Sequence, residues 1–395
     1  MDRFPNYIGP AAFGVKIGVV IPGMDLVQEI VEQVKKCVED GLIDNGDVLC
    51  ITESVVARAQ DNFVTLHQVA AEITSKLQIR KDSRLGVVFP ILSRNRFAMI
   101  LKAIAMAVPH GEVVVQLTWP SDEVGNQIIP DEIMQELGKS YYDIITEAEI
   151  SGRELLHPIT GIDYLQLYRE IIQAEGAKAT LFFANDPRVI ADYNCDGVIA
   201  ADIHTRNKTK NALQGLVENL ISLVDINSDP QEKAWSEWGL LGSNMSAGNK
   251  LKLAPKNGTE FVNQVQSSVK RATDKHIEVL IYGDGAYKDP STGIYELADP
   301  RPVFGCTSGF EGVIRKGIKY KYFADLAYAQ GKSAEEIEAE LKKLMQDGNE
   351  NEQLLEGTTP RQMADIIASL ADLVSGSSDA GTPLVVVKGF LSPEK

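Results

Sequence analysis

Apolar residues along the chain fall into short runs that alternate with stretches of helical spacing. Val15–Ile21 is an apolar run closed by Pro22-Gly23 and predicts a strand. Leu26, Ile30, Val31 and Val34 recur at helical spacing and predict a helix over Asp25–Val38. Asp47–Thr52 predicts a short buried strand, and His67–Leu77 a helix. Leu85–Phe89 predicts a strand, Phe97–Val108 an apolar helix, and Val113–Thr118 a further strand. Strands and helices in alternation predict an α/β layered architecture with mixed sheets.

The pattern shifts near Glu147. From there to Pro255, Tyr164–Glu175 and His204–Leu213 predict helices, and Ala179–Ala184 and Gly197–Ala201 predict strands. This is the sequence of a βαβ-like subdomain inserted into the first layer. Trp235–Asn249 carries Gly, Ser and Asn without periodicity and predicts a loop. Beyond the insert, Phe261–Thr273 predicts a helix and Ile277–Ile281 a strand. Ser333–Asp347 predicts a charged helix with a solvated face, Pro360–Val374 an apolar-striped helix, and Leu384–Val387 a closing strand. The expected division is residues 1–146 and 256–395 as a core, with residues 147–255 inserted between them. The last few residues are expected to be disordered.

Composition narrows the function classes. A chain of 395 residues allows one large or two medium domains, and 44% apolar with 24% charged residues suits a globular protein. A net charge of -16 argues against a nucleic-acid partner, which needs a basic footprint. It also means that a bound nucleotide requires divalent metal or focused Lys and Arg. The four cysteines are far apart with no Cys-x-x-Cys pair, which argues against a zinc cluster or a disulfide framework. No apolar run is long enough to span a bilayer, and no signal peptide is evident, so a cytoplasmic location is expected.

Three strand exits carry candidate chemistry. After Ile277–Ile281 comes Tyr282-Gly283-Asp284-Gly285-Ala286-Tyr287-Lys288. Glycines on both sides of Asp284 let a phosphate or metal approach the backbone, and Lys288 can reach the same phosphate. After Val113–Thr118 comes Ser121-Asp122-Glu123-Val124-Gly125-Asn126, whose carboxylates are hard donors suited to Mg²⁺ or Mn²⁺. After Asp47–Thr52 comes Glu53 to Arg58, and Arg58 can hold a phosphate in a two-pronged fork. The loop Ser375-Gly376-Ser377-Ser378-Asp379-Ala380-Gly381-Thr382 offers backbone N–H groups and hydroxyls that can cradle phosphates, although no Lys follows its last Gly as in a Walker motif. Each exit taken alone also fits an ordinary turn. Arg94 and Arg96 stand at a helix start, where they oppose the dipole and suit either an anionic ligand or a surface ion pair. His157 and His204 lack partners at metal-ligand spacing and are expected to be structural.

Taken in order, these segments resemble the coenzyme F-420 (deazaflavin) γ-glutamyl ligases. Gly23-Met24-Asp25-Leu26, Asp47–Thr52 through Arg58, Ser121–Asn126, Asp284–Lys288 and Ala364–Asp365 through Gly381–Gly389 carry the resemblance. It implies an acid–amino-acid ligase that uses GTP, or ATP, with a divalent metal to join a carboxylate to an amino acid such as L-glutamate through an acyl phosphate. It implies Asp122, Asp284 and Asp379 as metal ligands, with Asp284 and Lys288 catalytic. Arg58, Asn126, Ser375, Gly376, Ser377, Ser378, Gly381 and Thr382 would contact the nucleotide, and the enzyme would be a homodimer. Gly285 and Ser377 stand where the family carries Thr or Ser and an acidic or amide ligand. That thinner ligand set motivates the alternative, a non-catalytic protein that binds a nucleotide or phosphorylated metabolite.

Overall fold

Two sheets of different construction organise the chain. The computed structural model describes residues 9–157, 160–284, 287–288, 295–296, 299–315, 319–346, 361–375 and 381–391. One sheet is five-stranded and mixed, in the order Ala11–Val15, Leu384–Lys388, Val48–Thr52, Glu278–Tyr282, Val303–Cys306. Only its central pair, Val48–Thr52 beside Glu278–Tyr282, is parallel. Alternation along the strands divides the side chains between two faces. Leu49, Ile51, Val279 and Ile281 pack with helices Leu26–Glu39 and Gly258–Thr273. Val48, Cys50, Leu280 and Tyr282 pack with helix Met363–Ser375. Both faces are therefore covered, which is why Val48–Thr52 is apolar without a polar face.

The second sheet is six-stranded, in the order Ile145–Thr146, Lys178–Phe183, Glu112–Leu117, Arg84–Val88, Gly197–Ala200, Leu220–Ser222. All its pairings are parallel except that of Ile145–Thr146 with Lys178–Phe183. Leu85, Val87, Val113 and Val115 face helices Leu66–Leu77, Phe97–Ala107 and Tyr164–Ala174. Val88, Val114, Phe182 and Val198 face the turn Pro187–Tyr193 and helix Arg206–Leu213. Strands on both sides of Glu147 share this sheet, so its hydrogen bonding runs straight across the boundary drawn from composition. The expected α/β layering with mixed sheets is present.

Two elements differ from the sequence expectation. The first strand is Ala11–Val15, not Val15–Ile21. Its register is set by pairing Ala11 to Lys388 through Val15 to Leu384, and Val19 and Ile21 beyond it are 80% and 57% exposed. The expected loop Trp235–Asn249 contains strand Asn244–Ser246, which turns back and pairs with Lys250–Lys252, and Lys250–Lys252 in turn pairs with Phe63–Thr65 in a three-stranded sheet. Gly248 and Asn249 at the turn both have positive φ, the requirement of a tight hairpin that a Gly-Asn pair meets. Helix Ala334–Gln346 has the solvated face expected of it, and its other face packs Ile337 and Leu341 on Ala327 of helix Tyr320–Ala329. The disorder expected of the last residues falls at 392–395, outside the described residues.

Candidate functional site: a cleft between two carboxyl edges

The carboxyl ends of strands from both sheets meet at one cleft of about 1060 Å³. From the mixed sheet it receives Thr52, Glu53, Ser54 and Arg58 after one parallel strand, and Gly283 and Asp284 after the other. From the parallel sheet it receives Ile91 to Arg96 after Arg84–Val88, and Val124 and Asn126 after Glu112–Leu117. The hairpin Asn244–Lys252 closes one side with Lys250 and Lys252. In the parallel sheet the chain leaves Arg84–Val88 toward Glu112–Leu117 on one side and later returns to Gly197–Ala200 on the other. Strand order thus reverses at Arg84–Val88, and open α/β sheets bind ligands in the crevice at such a reversal.

A buried ionic network crosses the cleft floor. Both carboxylate oxygens of Glu53 accept from Lys252 Nζ, at 2.8 and 2.6 Å. Arg96 donates through one nitrogen to Asp299 at 2.8 Å and through another to Asp284. The Asp284 backbone N–H donates to Asp299 at 2.8 Å. Burial pushes Glu53 above its usual range against the pull of Lys252. Burial and then the Asp299 charge push Asp284 up to about 7, with Arg96 working against them. Burial opposes the charge on Arg96, but Asp299 and Asp284 outweigh it and raise the guanidinium pKa. The Asp284 side chain is 37% exposed at the cleft, so solvent tempers this rise.

The residues singled out from the sequence divide into groups. Arg58, Asn126 and Asp284 line the same cleft. Asp122 does not. Its carboxylate accepts four hydrogen bonds, from the backbone of Leu92, Val124 and Asn126 and from the Asn126 amide. Burial raises it to about 6. It joins the loop after Arg84–Val88 to the loop after Glu112–Leu117, supplying acceptors to backbone N–H groups of both. Its two oxygens are thus engaged by its own loop and the adjoining one. Ser375 is buried at the end of its helix, where its hydroxyl donates to Asp372 O at 3.1 Å. Thr382 packs on Gly14, where an added Cβ would lie 2.8 Å from its own. Ser375, Gly381 and Thr382 are not in the cleft lining; Asp372, one turn before Ser375, is. Gly376, Ser377, Ser378 and Asp379 lie outside the described residues, and Lys288 is described only as part of a short strand. His157 is buried, with Nε2 3.2 Å from the Asn126 amide oxygen.

Sequence reasoning missed Glu53, Lys252, Asp299 and Asp372. Their partners lie far off in the chain, 199 residues for Glu53 and Lys252 and 203 for Arg96 and Asp299, so no local spacing marks them. The one local signal was the pair of arginines opposing the helix dipole at Arg94 and Arg96.

The metal implied by the resemblance can be tested against these donors. The carboxylates are hard oxygen ligands, as Mg²⁺ or Mn²⁺ requires. Both oxygens of Glu53 are taken by Lys252, and Arg96 holds Asp284 and Asp299. No group of three or more His, Cys, Asp or Glu among the described residues is placed to hold a metal ion. Asp379, expected as a further ligand, lies outside the described residues, and an ion of this kind is held by one or two carboxylates together with substrate phosphates, a set to which Asp284 in the cleft could contribute.

A cleft shared by the carboxyl edges of a mixed sheet and a parallel sheet stands where α/β proteins bind their ligands. The particular family is shown by sequence: the pattern of the F420-0:Gamma-glutamyl ligase family matches residues 14–389, and the chain belongs to that family. The match runs through the 147–255 segment as well as the flanking ones. No curated protein matches the chain. The family is one of ligases that form an amide bond, so small-molecule substrates follow. Among the described residues, no helix is long and apolar enough to cross a membrane.

Proposed function

We propose that the protein is a nucleotide-dependent acid–amino-acid ligase working in the cleft. A carboxylate oxygen attacks the γ-phosphorus of GTP or ATP and the nucleoside diphosphate leaves. The nitrogen of an amino acid such as L-glutamate then attacks the acyl carbon, the phosphate leaves with the bonding pair, and one proton from the nitrogen must be removed. Asp284 is suited to that last task, since a base near neutrality accepts a proton from an attacking amine and returns it to water. Arg58 and Lys250 line the cleft without a carboxylate partner among the described residues and are suited to the phosphates. Arg96 fixes Asp284 in place. A homodimer, as the resemblance implies, belongs to the same reading.

The observation that carries the reading is Asp284, at the carboxyl end of a parallel strand, in a cleft that also holds Arg58 and Lys250, which have no carboxylate partner among the described residues. The test couples nucleoside diphosphate release to a carboxylate and L-glutamate, beside thermal-shift titrations with GTP, ATP and GDP. Asp284→Asn is expected to lower turnover by about 10²- to 10⁴-fold while the nucleotide shift stays. Equal turnover in the variant would remove Asp284 from the reaction. The engaged carboxylates favour one alternative, a protein that holds nucleotide without turning it over. Nucleotide binding with no diphosphate released by any acid and amine pairing would select it.

A further inference from the structure

The two walls of the cleft differ in charge. The lining from the mixed sheet and its helices includes the acids Glu53, Asp61, Asp284 and Asp372. Among the described residues, the lining from the parallel sheet includes no acid. It offers Arg94, exposed toward the cleft and without a carboxylate partner among the described residues, beside the apolar Leu92, Val124, Ile162 and the ring of Tyr164. Arg94 and Tyr164 are neighbours: burial raises the phenol, and Thr160 and then Arg94 hold it back.

This wall is also rigid. Tyr168 donates to Ile91 O at 2.7 Å and accepts from the Ser93 N–H at 3.1 Å. Asp122 joins the Leu92 N–H to the turn that carries Val124 and Asn126. An exposed guanidinium beside an apolar surface whose backbone is held by these bonds, at the reversal point of a parallel sheet, suits a ligand with an anionic head and an apolar body. Arg is the side chain whose planar fork matches a carboxylate through two bonds.

We propose that the parallel-sheet wall is a substrate subsite for a carboxylate with an apolar or aromatic body, and that Arg94 grips the carboxylate. This deepens the ligase reading and rests on it for the reaction that follows, but not for the binding. The ligand's source is either the acid to be activated or the amino acid that attacks. An acid without an amine and an amino acid with an aromatic side chain share the recognised chemistry, so both serve as probes.

The experiment titrates the full-length protein with phenylacetate, L-phenylalanine, L-glutamate and phenethylamine, with and without a non-hydrolysable GTP analogue. Binding is read by calorimetry and thermal shift. Phenylacetate, L-phenylalanine or both are expected to bind, L-glutamate more weakly and phenethylamine not at all. Arg94→Ala is expected to weaken the bound acid by about 10- to 100-fold, the range for a charge-assisted pair, and Arg94→Lys by less. Nucleotide affinity is expected to stay unchanged in both variants. Phenylacetate selective over L-phenylalanine identifies the acid to be activated; the reverse identifies the amine donor. No aromatic acid bound by the wild type, acid binding indifferent to Arg94→Ala, or phenethylamine bound as well as phenylacetate overturns the subsite. Acid binding lost in Arg94→Ala in a protein that binds no nucleotide keeps the subsite and sinks the ligase reading instead.

Discussion

The mixed-sheet wall and the parallel-sheet wall of the cleft are held by opposite means. On the first, Glu53 leans on Lys252 from the hairpin and Asp284 on Arg96 from the other wall, so its shape depends on charges brought from distant segments. On the second, Asp122 satisfies its own loop's N–H groups and those of the adjoining loop, and Tyr168 bridges the backbone of Ile91 and Ser93. The first arrangement places reactive groups whose pKa values are moved by their neighbours. The second supplies a stable surface. A buried ion pair is costly to break, because the remaining charge has no partner, whereas a hydrogen-bonded wall loosens locally. Arg96 belongs to both walls, since it leaves a parallel-sheet loop and ends on acids at the far side.

Breaking the ionic wall is expected to have the largest effect. Lys252→Met strands the Glu53 carboxylate, buried with an 8% exposed side chain, and should cost about 3–5 kcal/mol in denaturant unfolding. Adding Glu53→Gln should recover most of that loss; a double variant as unstable as the single one would mean that the ion pair is not what Lys252 supplies. On the hydrogen-bonded wall, Asp122→Ala leaves the Leu92 and Asn126 N–H groups without an acceptor and should cost about 3 kcal/mol, and it should weaken binding of carboxylates more than of nucleotide.

A pH measurement sharpens the comparison at a smaller scale. Asp202 is fully buried beside the parallel sheet, and burial lifts it to about 6, with hydrogen bonds from Thr205 and Thr209 opposing the rise. Its folded pKa lies above the unfolded value of about 3.9, so the folded state holds the proton more tightly. Stability from this group is therefore full below about pH 4 and is lost as pH rises to about 6. Asp202→Asn should remove that slope, a difference of about 1–3 kcal/mol between pH 4 and pH 7 relative to the wild type by denaturant titration. An unchanged slope would place the titration elsewhere. The smallest stability effect belongs to Arg58→Ala, expected within about 0.5 kcal/mol because the side chain is exposed, with nucleotide affinity lowered about tenfold by calorimetry. Unaltered nucleotide affinity would take Arg58 out of the phosphate site.

The sequence by itself determined the layering and most of the elements. Hydrophobic period is a local property, and buried strands such as Val48–Thr52 and amphipathic helices such as Leu26–Glu39 announce themselves through it. It also marked Asp284, Arg58 and Asn126, because a strand exit is legible wherever an apolar run meets Gly, Asp or Asn. The extent of the second sheet was not legible. A change of composition at Glu147 looks like a boundary, but partners in a parallel sheet are chosen across long crossovers. Tertiary structure alone decided that Asp122 would serve backbone N–H groups while Asp284 faced the cleft, although both follow a strand and read alike. It also decided that Glu53 would meet Lys252, and Arg96 would meet Asp299, across about half the chain. Charges pair by distance in space, and low dielectric in the interior makes those pairings strong enough to set a pKa. Nothing in the order of residues records that distance.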